Sequence, residues 1–350
     1  MKRGAFDVKK LAVVLRRFEA IQVTELAAWR SWIESDPAYQ RAFLTPNFCE
    51  AVAEKNPRVR IVMVYLADEL IAVLPLQPHD SWAGRFGVYE PVGGTMSDYF
   101  GAICKPRTIL PIELILARAG IGAVAFTHLD ETQLGLGLAG VMPRVGLRTI
   151  ISGVGDLHWE QLRAGDKKLV SDTERRERKL VAEHGHVEFE LQSSNPDIDL
   201  RELITLKQAQ YSRTGNHEAS LFSKSNEQLL WRLLRSVDPQ CTGILSVLRV
   251  NQKLVAAHFG LQCKNVLHFW FPVYAVEYAA YSPGRILYRH VIRAGSAAGI
   301  QILDRGEGDT SAKRDFANDE HIYYSGIWWP KNFRGLMGRL AIAAMWRLSK

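Results

Sequence analysis

Three carboxylates close the stretch "IQILDRGEGD": Asp304, Glu307 and Asp309. Carboxylates gathered at the end of an apolar run can take or give a proton, because a strand end is where a reacting group gains access to them. A magnesium or calcium site would need more oxygen ligands than these three supply, so no metal is expected. Asp309 also suits a second role, as the cap of a short helix that follows. Some way upstream, Ser282-Pro283-Gly284 precedes the amphipathic run that starts at Arg285 and Ile286. A helix opening after Pro and Gly keeps backbone N–H groups free for an anion, and its dipole favours negative charge there. Gly284 lets a ligand come close to the backbone, and Arg285 adds a cation. Tyr211 and Arg213 end another helical run; a phenol can protonate a leaving group and a guanidinium can hold a phosphate. His258 and His268 sit among apolar neighbours, where a core histidine is the ordinary reading, with His258 next in line as a base.

These residues need elements to hold them. "HVEFELQ" alternates as a strand, and "DIDLRELITLKQAQYSRTG" and "SNEQLLWRLLRSV" have helical periodicity. Three strands follow, "GILSVLRV", "KLVAAHFGLQ" and "VLHFWFPVY", with turns at Asn251-Gln252 and Lys264-Asn265. Then come the helix after Gly284, a C-cap at Gly299, the strand ending at Asp304, a short helix near 312–316 and the strand "HIYYSGIWW". The first half follows a similar order: a strand, two helices, and a hairpin around Asp68-Glu69. "ELIAVLPLQ" even resembles "KLVAAHFGLQ", which points to internal duplication.

Composition narrows the function classes. At 350 residues, 47% hydrophobic and 23% charged, the chain reads as a globular protein of two domains. The net charge of +7 suits polyanionic ligands. Nucleic acid is not expected, because the densest basic stretch, "DKKLVSDTERRERKL", is laced with acids in the manner of a solvated helix face. Cys49, Cys104, Cys241 and Cys263 have neither metal-ligand nor disulfide spacing, which suits reduced cysteines in a cytoplasmic protein. No nucleophile elbow, zinc-protease motif or phosphate loop occurs.

The order of elements in the second half, with its Ser-Pro-Gly turn, resembles the GNAT acyltransferases. In detail it is similar to the CelD/BcsL-type proteins of bacterial polysaccharide loci, relatives of the Fem-type transferases with tandem GNAT-like domains. The carriers are "TPNFCEAVAE", "PVGGTMSDYFGAI", "LKQAQYSRTG", "LHFWFPVYAVEYAAYSPGRIL" and "ILDRGEGDTSAKRDFAN". That family often has a Tyr-Lys pair after its Gly-x-Gly-Asp loop; here Ala312 stands in place of the tyrosine and Lys313 is kept. The resemblance implies an α/β (α+β) fold of tandem GNAT-like domains with mixed central sheets. It implies acetyl-CoA or another acyl-CoA as donor, bound at Ser282, Pro283, Gly284, Arg285 and Ile286. It makes Asp304, Glu307, Asp309, Tyr211 and Lys313 catalytic candidates, and Asp98, Tyr99, Arg213 and His258 candidates for holding the acceptor.

The resulting expectation is an N-terminal domain over 1–155, a C-terminal domain with the acyl-CoA site over 156–330, and an amphipathic helix over 331–350. The expected activity is acylation, N- or O-linked, of a sugar unit for an exopolysaccharide, the acceptor being small or lipid-linked. Two other readings stand beside it: a Fem-type enzyme drawing an aminoacyl group from charged tRNA, and a non-catalytic GNAT-like regulator or scaffold. In the tail, Phe333, Leu336, Met337 and Leu340 alternate with Lys331, Arg334, Arg339 and Arg347, and no acid follows Glu320. Such a helix suits either docking on its own domain or peripheral contact with an anionic inner-membrane surface.

Overall fold

The computed structural model describes residues 8–215 and 222–348. In chain order the elements are β1 (Leu11–Arg16), α1 (Val23–Ser35), α2 (Pro46–Ala53), β2 (Arg60–Leu66), β3 (Glu69–Pro78), β4 (Val88–Pro91), β5 (Ile103–Cys104), α3 (Ile112–Ala119) and β6 (Ala123–Asp130). They continue with β7 (Met142–Ile150), α4 (Leu157–Gly165), α5 (Lys167–His184), β8 (Val187–Glu190), α6 (Pro196–Thr214), α7 (Lys224–Leu234), β9 (Thr242–Val250), β10 (Lys253–Cys263) and β11 (Val266–Tyr274). Last come α8 (Pro283–Ala297), β12 (Ile302–Glu307), α9 (Ser311–Arg314), β13 (Asp319–Trp328) and α10 (Phe333–Leu348). The chain packs as two compact units, one of Met1–Arg144 with Ile322–Lys350, the other of Val145–His321.

Local sequence explains most boundaries. Thr45 caps α2 by accepting from the Phe48 N–H at 3.2 Å, with Pro46 in the first turn, where a missing N–H costs nothing. Asp166 caps α5 through the Leu169 N–H at 2.9 Å, and α6 ends at Gly215, whose φ of +65° is left-handed. The β9–β10 hairpin turns through Asn251 and Gln252, both with positive φ, as a tight two-residue turn requires.

In the second unit the strand order is β7-β12-β11-β10-β9-β8, antiparallel except for the parallel pair β11–β12. One sheet face buries Leu248, Leu267, Phe269 and Leu303 with Ile286, Leu287 and Val291 of α8, a cluster that also takes in Val170 and Leu180 of α5. The first unit repeats the plan with β1-β2-β3-β4-β6-β13, again antiparallel but for the parallel pair β4–β6. Its core joins Val62, Leu74 and Val124 to Leu116, Phe126 and Trp328. Mixed sheets flanked by helices in both units make this a tandem GNAT-like α/β fold.

The C-terminal helix α10 packs within the first unit by an unexpected face. Its small residues Gly335, Gly338 and Ala341 are buried with Ile342, while Phe333, Leu336, Met337 and Leu340 are exposed. Close approach explains the choice: a Cβ on Gly338 would stand 2.7 Å from the Gly122 carbonyl carbon and 2.9 Å from the Ala123 nitrogen. Among the described residues no helix is long and apolar enough to cross a membrane.

Candidate active site

Strands β11 and β12 run side by side only from Val266↔Ile302 to His268↔Asp304. Beyond that point β11 continues on β10 and β12 on β7, so the two strands part. Past His268 the β11 edge no longer pairs with β12, and a strand edge at such a fork can bond a carbonyl oxygen.

Asp304 stands at this fork with no exposed surface. Its Oδ1 accepts from the Gly306 N–H at 2.9 Å and lies 3.7 Å from His268 Nδ1, while Oδ2 is 3.8 Å from Arg148 Nε. Burial opposes its charge, yet the pull of His268, with His321 and Arg148 adding to it, holds the carboxyl well below the usual value. A carboxylate held this far down is a weak base, suited to orienting its neighbours. These neighbours come from β7, β11 and β13, and no motif spacing links them in sequence.

Glu307 ends β12 and is half-buried; its carbonyl oxygen accepts from Lys313 Nζ. Asp309 is exposed, and hydrogen bonding to Arg314 lowers its pKa. The loop that carries them is pinned by Arg305, whose guanidinium donates to the Lys313 carbonyl at 2.8 Å and to the Asp315 carbonyl at 2.6 Å. The same guanidinium lies 4.5 Å over the Tyr288 ring. Sequence reading passed over Arg305, since an arginine beside a Gly-rich loop looks like an ordinary solvated charge.

The turn before α8 has the geometry of an anion holder. Ser282 takes a left-handed φ of +52°, and its carbonyl accepts from the Arg285 N–H at 2.9 Å and the Ile286 N–H at 3.4 Å. Pro283 has no N–H, and the Gly284 N–H has no acceptor among the described residues. Nothing lies within 4 Å of the place where a Gly284 Cβ would stand, so the backbone is open to a ligand. Arg285 is held by Asp315 at 2.8 Å and Asp172 at 3.4 Å, and lines a cavity with Lys167, Lys168 and Arg175. Four cations against Asp166, Asp172 and Asp315 leave this surface suited to a phosphate. Ile286 is buried in the core and fixes the helix start.

Tyr211 is nearly buried on α6, 6.0 Å from Phe222, which in turn is 5.3 Å from Phe271 of β11. Lys207 reaches over the Tyr211 ring at 5.1 Å and donates to the Pro272 carbonyl at 2.8 Å. Arg213 is exposed on the same helix. His258 has no exposed surface and stacks on Phe269 at 3.8 Å, with burial and then His268 pulling its pKa down to about 3. It therefore offers no surface to a substrate and stays neutral. Asp98 and Tyr99 lie in the first unit, the former half-buried, the latter buried beneath the Arg41 guanidinium at 5.3 Å.

Residues 168–314 match the family model described as an acetyltransferase (GNAT) domain. This part of the chain is similar to GNAT acetyltransferase domains. The match supports acyl-transfer activity. Among solved structures, FemX is similar with a TM-score of 0.58 at 11% identity, over 87% of this chain and 96% of the FemX chain. A conserved protein of unknown function from Bacteroides thetaiotaomicron gives 0.55 at 9% identity, over 89% of this chain and 98% of that one. The C-terminal domain of a protein assigned as a lysylphosphatidylglycerol synthetase from Agrobacterium fabrum gives 0.54 at 10%, over 91% and 94%. At such identities the likeness establishes the fold, here over both units and not only the GNAT domain. Comparison with curated proteins gives no match.

Proposed function

We propose that the GNAT domain transfers an acyl group, acetyl in the first instance, from acyl-CoA to a nitrogen or oxygen of a sugar unit, as a CelD/BcsL-type enzyme of exopolysaccharide synthesis. The observation that carries the donor half is the open Gly284 backbone beside a cavity lined by Lys167, Lys168, Arg175 and Arg285. The sugar half rests on the motif resemblance alone. Acyl-CoA supplies an activated thioester carbonyl when bound. The start of α8 receives its pyrophosphate, and the β11 edge at the fork beyond its last β12 pair holds the carbonyl oxygen. Glu307 takes the acceptor proton as the acceptor nitrogen or oxygen bonds to the acyl carbon, the carbon–sulfur bond breaks, and the CoA thiolate leaves with a proton from the Tyr211 hydroxyl, which solvent restores. Asp304 and Lys313 fix the strand end that carries Glu307, and Arg213 borders the acceptor.

Calorimetry with acetyl-CoA on the full chain tests the donor site. Gly284→Leu should fold, because its side chain enters open space, yet block the anion's approach and weaken binding about tenfold or more. Arg285→Ala should weaken binding by about 1–3 kcal/mol, removing a cation from the phosphate and leaving Asp315 without its guanidinium partner. Unchanged affinity in both variants would remove the site. Absence of acetyl-CoA binding by the native chain would favour the Fem-type reading, whereas binding without turnover on any amino sugar would favour a regulator with a degenerate site at Ala312.

We further propose that α10 rests on an anionic membrane surface. Its outward row of Phe333, Leu336, Met337 and Leu340 supports this, together with the exposed Trp346 and the basic residues Lys331, Arg334, Arg339 and Arg347. The full chain should co-sediment with vesicles containing phosphatidylglycerol and much less with neutral ones. Leu336→Glu with Leu340→Glu, both exposed sites, should abolish the binding without loss of fold. Equal pelleting of the native and doubly substituted chains would refute the contact.

A further inference from the structure

The first unit has a parting of strands like that in the second. Parallel β4 and β6 pair only at Val88↔Ala123 and Tyr89↔Val124, then separate. A cavity of about 610 Å³ opens there, with Glu90 and Phe126 from the two strands, Ile327 from β13, and Trp329 and Trp346 among its walls. It does not repeat the acyl-CoA site. The helix that follows β4, α3, has Glu113 and no cation in its first turn, so nothing there would hold a pyrophosphate.

Its polar equipment is specific. Glu90 Oε1 accepts from Gln77 Nε2 at 2.8 Å, and Gln77 Oε1 accepts in turn from the Gly93 N–H at 3.0 Å and Asn56 Nδ2 at 3.3 Å. Glu90 Oε2 lies 3.5 Å from His79 Nε2, while His79 Nδ1 accepts from the Ser81 N–H at 3.1 Å. One carboxylate oxygen is thus fixed and the other only loosely met, on a wall made mostly of rings and aliphatic groups, with the hydroxyls of Thr95, Thr127 and Ser325 among them. Arg144 lines the same cavity from its own exposed position on β7.

We propose that this cavity binds a primary or substituted ammonium group carried on an apolar body, with Glu90 as its counter-ion. Charge pairing selects the head, the Phe126, Trp329 and Trp346 rings favour a cation near their faces, and the aliphatic walls take the body. The inference concerns the first unit alone and stands whether or not the second binds acyl-CoA.

A proton should accompany the ligand. Burial pushes Glu90 up to about 7, the Gln77 hydrogen bond opposing it, nearby Asp80 adding to the rise and Arg58 countering. Burial lowers the His79 pKa, so that ring remains neutral near pH 7 and does not compete as a cation. An arriving ammonium drives Glu90 to its ionised form and releases its proton to the buffer.

The test uses the full chain with n-hexylammonium, n-hexanol and n-hexanoate as probes, followed by ligand-observed NMR and by calorimetry in buffers of different ionisation enthalpy. Hexylammonium should bind about tenfold tighter than hexanol, hexanoate least well, with roughly half a proton released near pH 7. The preference should grow as pH rises from about 6 to about 8, since ionised Glu90 becomes the majority form. Glu90→Gln should erase both the preference and the proton release. Trp346→Ala, at a half-exposed ring, should weaken hexylammonium several-fold and serves as the second variant if Glu90→Gln does not fold. Equal binding of the three probes, binding of none, or an intact preference in Glu90→Gln would overturn the assignment.

Discussion

Replacing Asp304 by Asn should cost the second unit about 3–5 kcal/mol at neutral pH, among the larger losses a single side chain can cause. The shape barely changes, and the amide oxygen can still accept from the Gly306 N–H. What disappears is the charge that compensates Arg148 and the imidazoles of His268 and His321 in a place without solvent. The pH dependence identifies the cause. Because the folded-state pKa lies well below the ordinary 3.8, the charge contributes fully above that value and its contribution is lost only as pH falls toward the folded one. The gap between native protein and Asp304→Asn should therefore persist at about pH 5 and narrow only in stronger acid. Denaturant titration of the full chain, monitored on the second unit's transition, measures this. Equal midpoints at neutral pH would show that the field around Asp304 has been misread.

Glu307→Gln should lower turnover by about 10²–10⁴-fold while leaving acetyl-CoA affinity unchanged. Elimination supports the choice among the three carboxylates. Asp304 is held ionised by its surroundings and has no surface to reach an acceptor, and Asp309 is committed to Arg314 on the outside of the loop. Glu307 ends the strand just past the fork, with its main chain fixed by Lys313 and by pairing opposite Gly146. Asp309→Asn is the control and should retain near-native rates. The measurement is steady-state acetylation of whichever amino sugar turns over, paired with calorimetry for the donor. Near-native turnover in Glu307→Gln would move the base elsewhere; a parallel loss of donor affinity would instead indicate a collapsed loop.

Local chemistry made much of the second unit legible. The turns at Asn251-Gln252 and Lys264-Asn265, the helix start at Pro283 behind Ser282 and the stop at Gly299 all use residues whose backbone preferences act over a few positions. Which strands become neighbours is a different matter. Alternation in "HIYYSGIWW" shows a strand, but not that Tyr323 faces Asp130 or that Trp328 faces Val124. For the same reason Arg148 could not be read as a partner of Asp304, since the contact depends on β7 lying beside β12. The tail shows a different limit. Large apolar residues at helical spacing suggest the docking face, whereas α10 docks by Gly335 and Gly338, whose lack of a side chain lets two backbones approach. Glu90 drew no notice, because a glutamate before a proline signals nothing until three other strands enclose it.

The first unit is interrupted in sequence: it holds the beginning of the chain and, after His321, its last stretch. During synthesis every residue of the second unit leaves the ribosome before the strand that covers the β6 edge has been made. The inserted unit can close on itself while its host waits with an open sheet edge, exposed to mispairing with other chains. Dissecting the protein therefore calls for excising 145–321 as one piece and rejoining the flanks. A simple cut near the middle would leave the N-terminal part without β13 and without the helix that packs behind it.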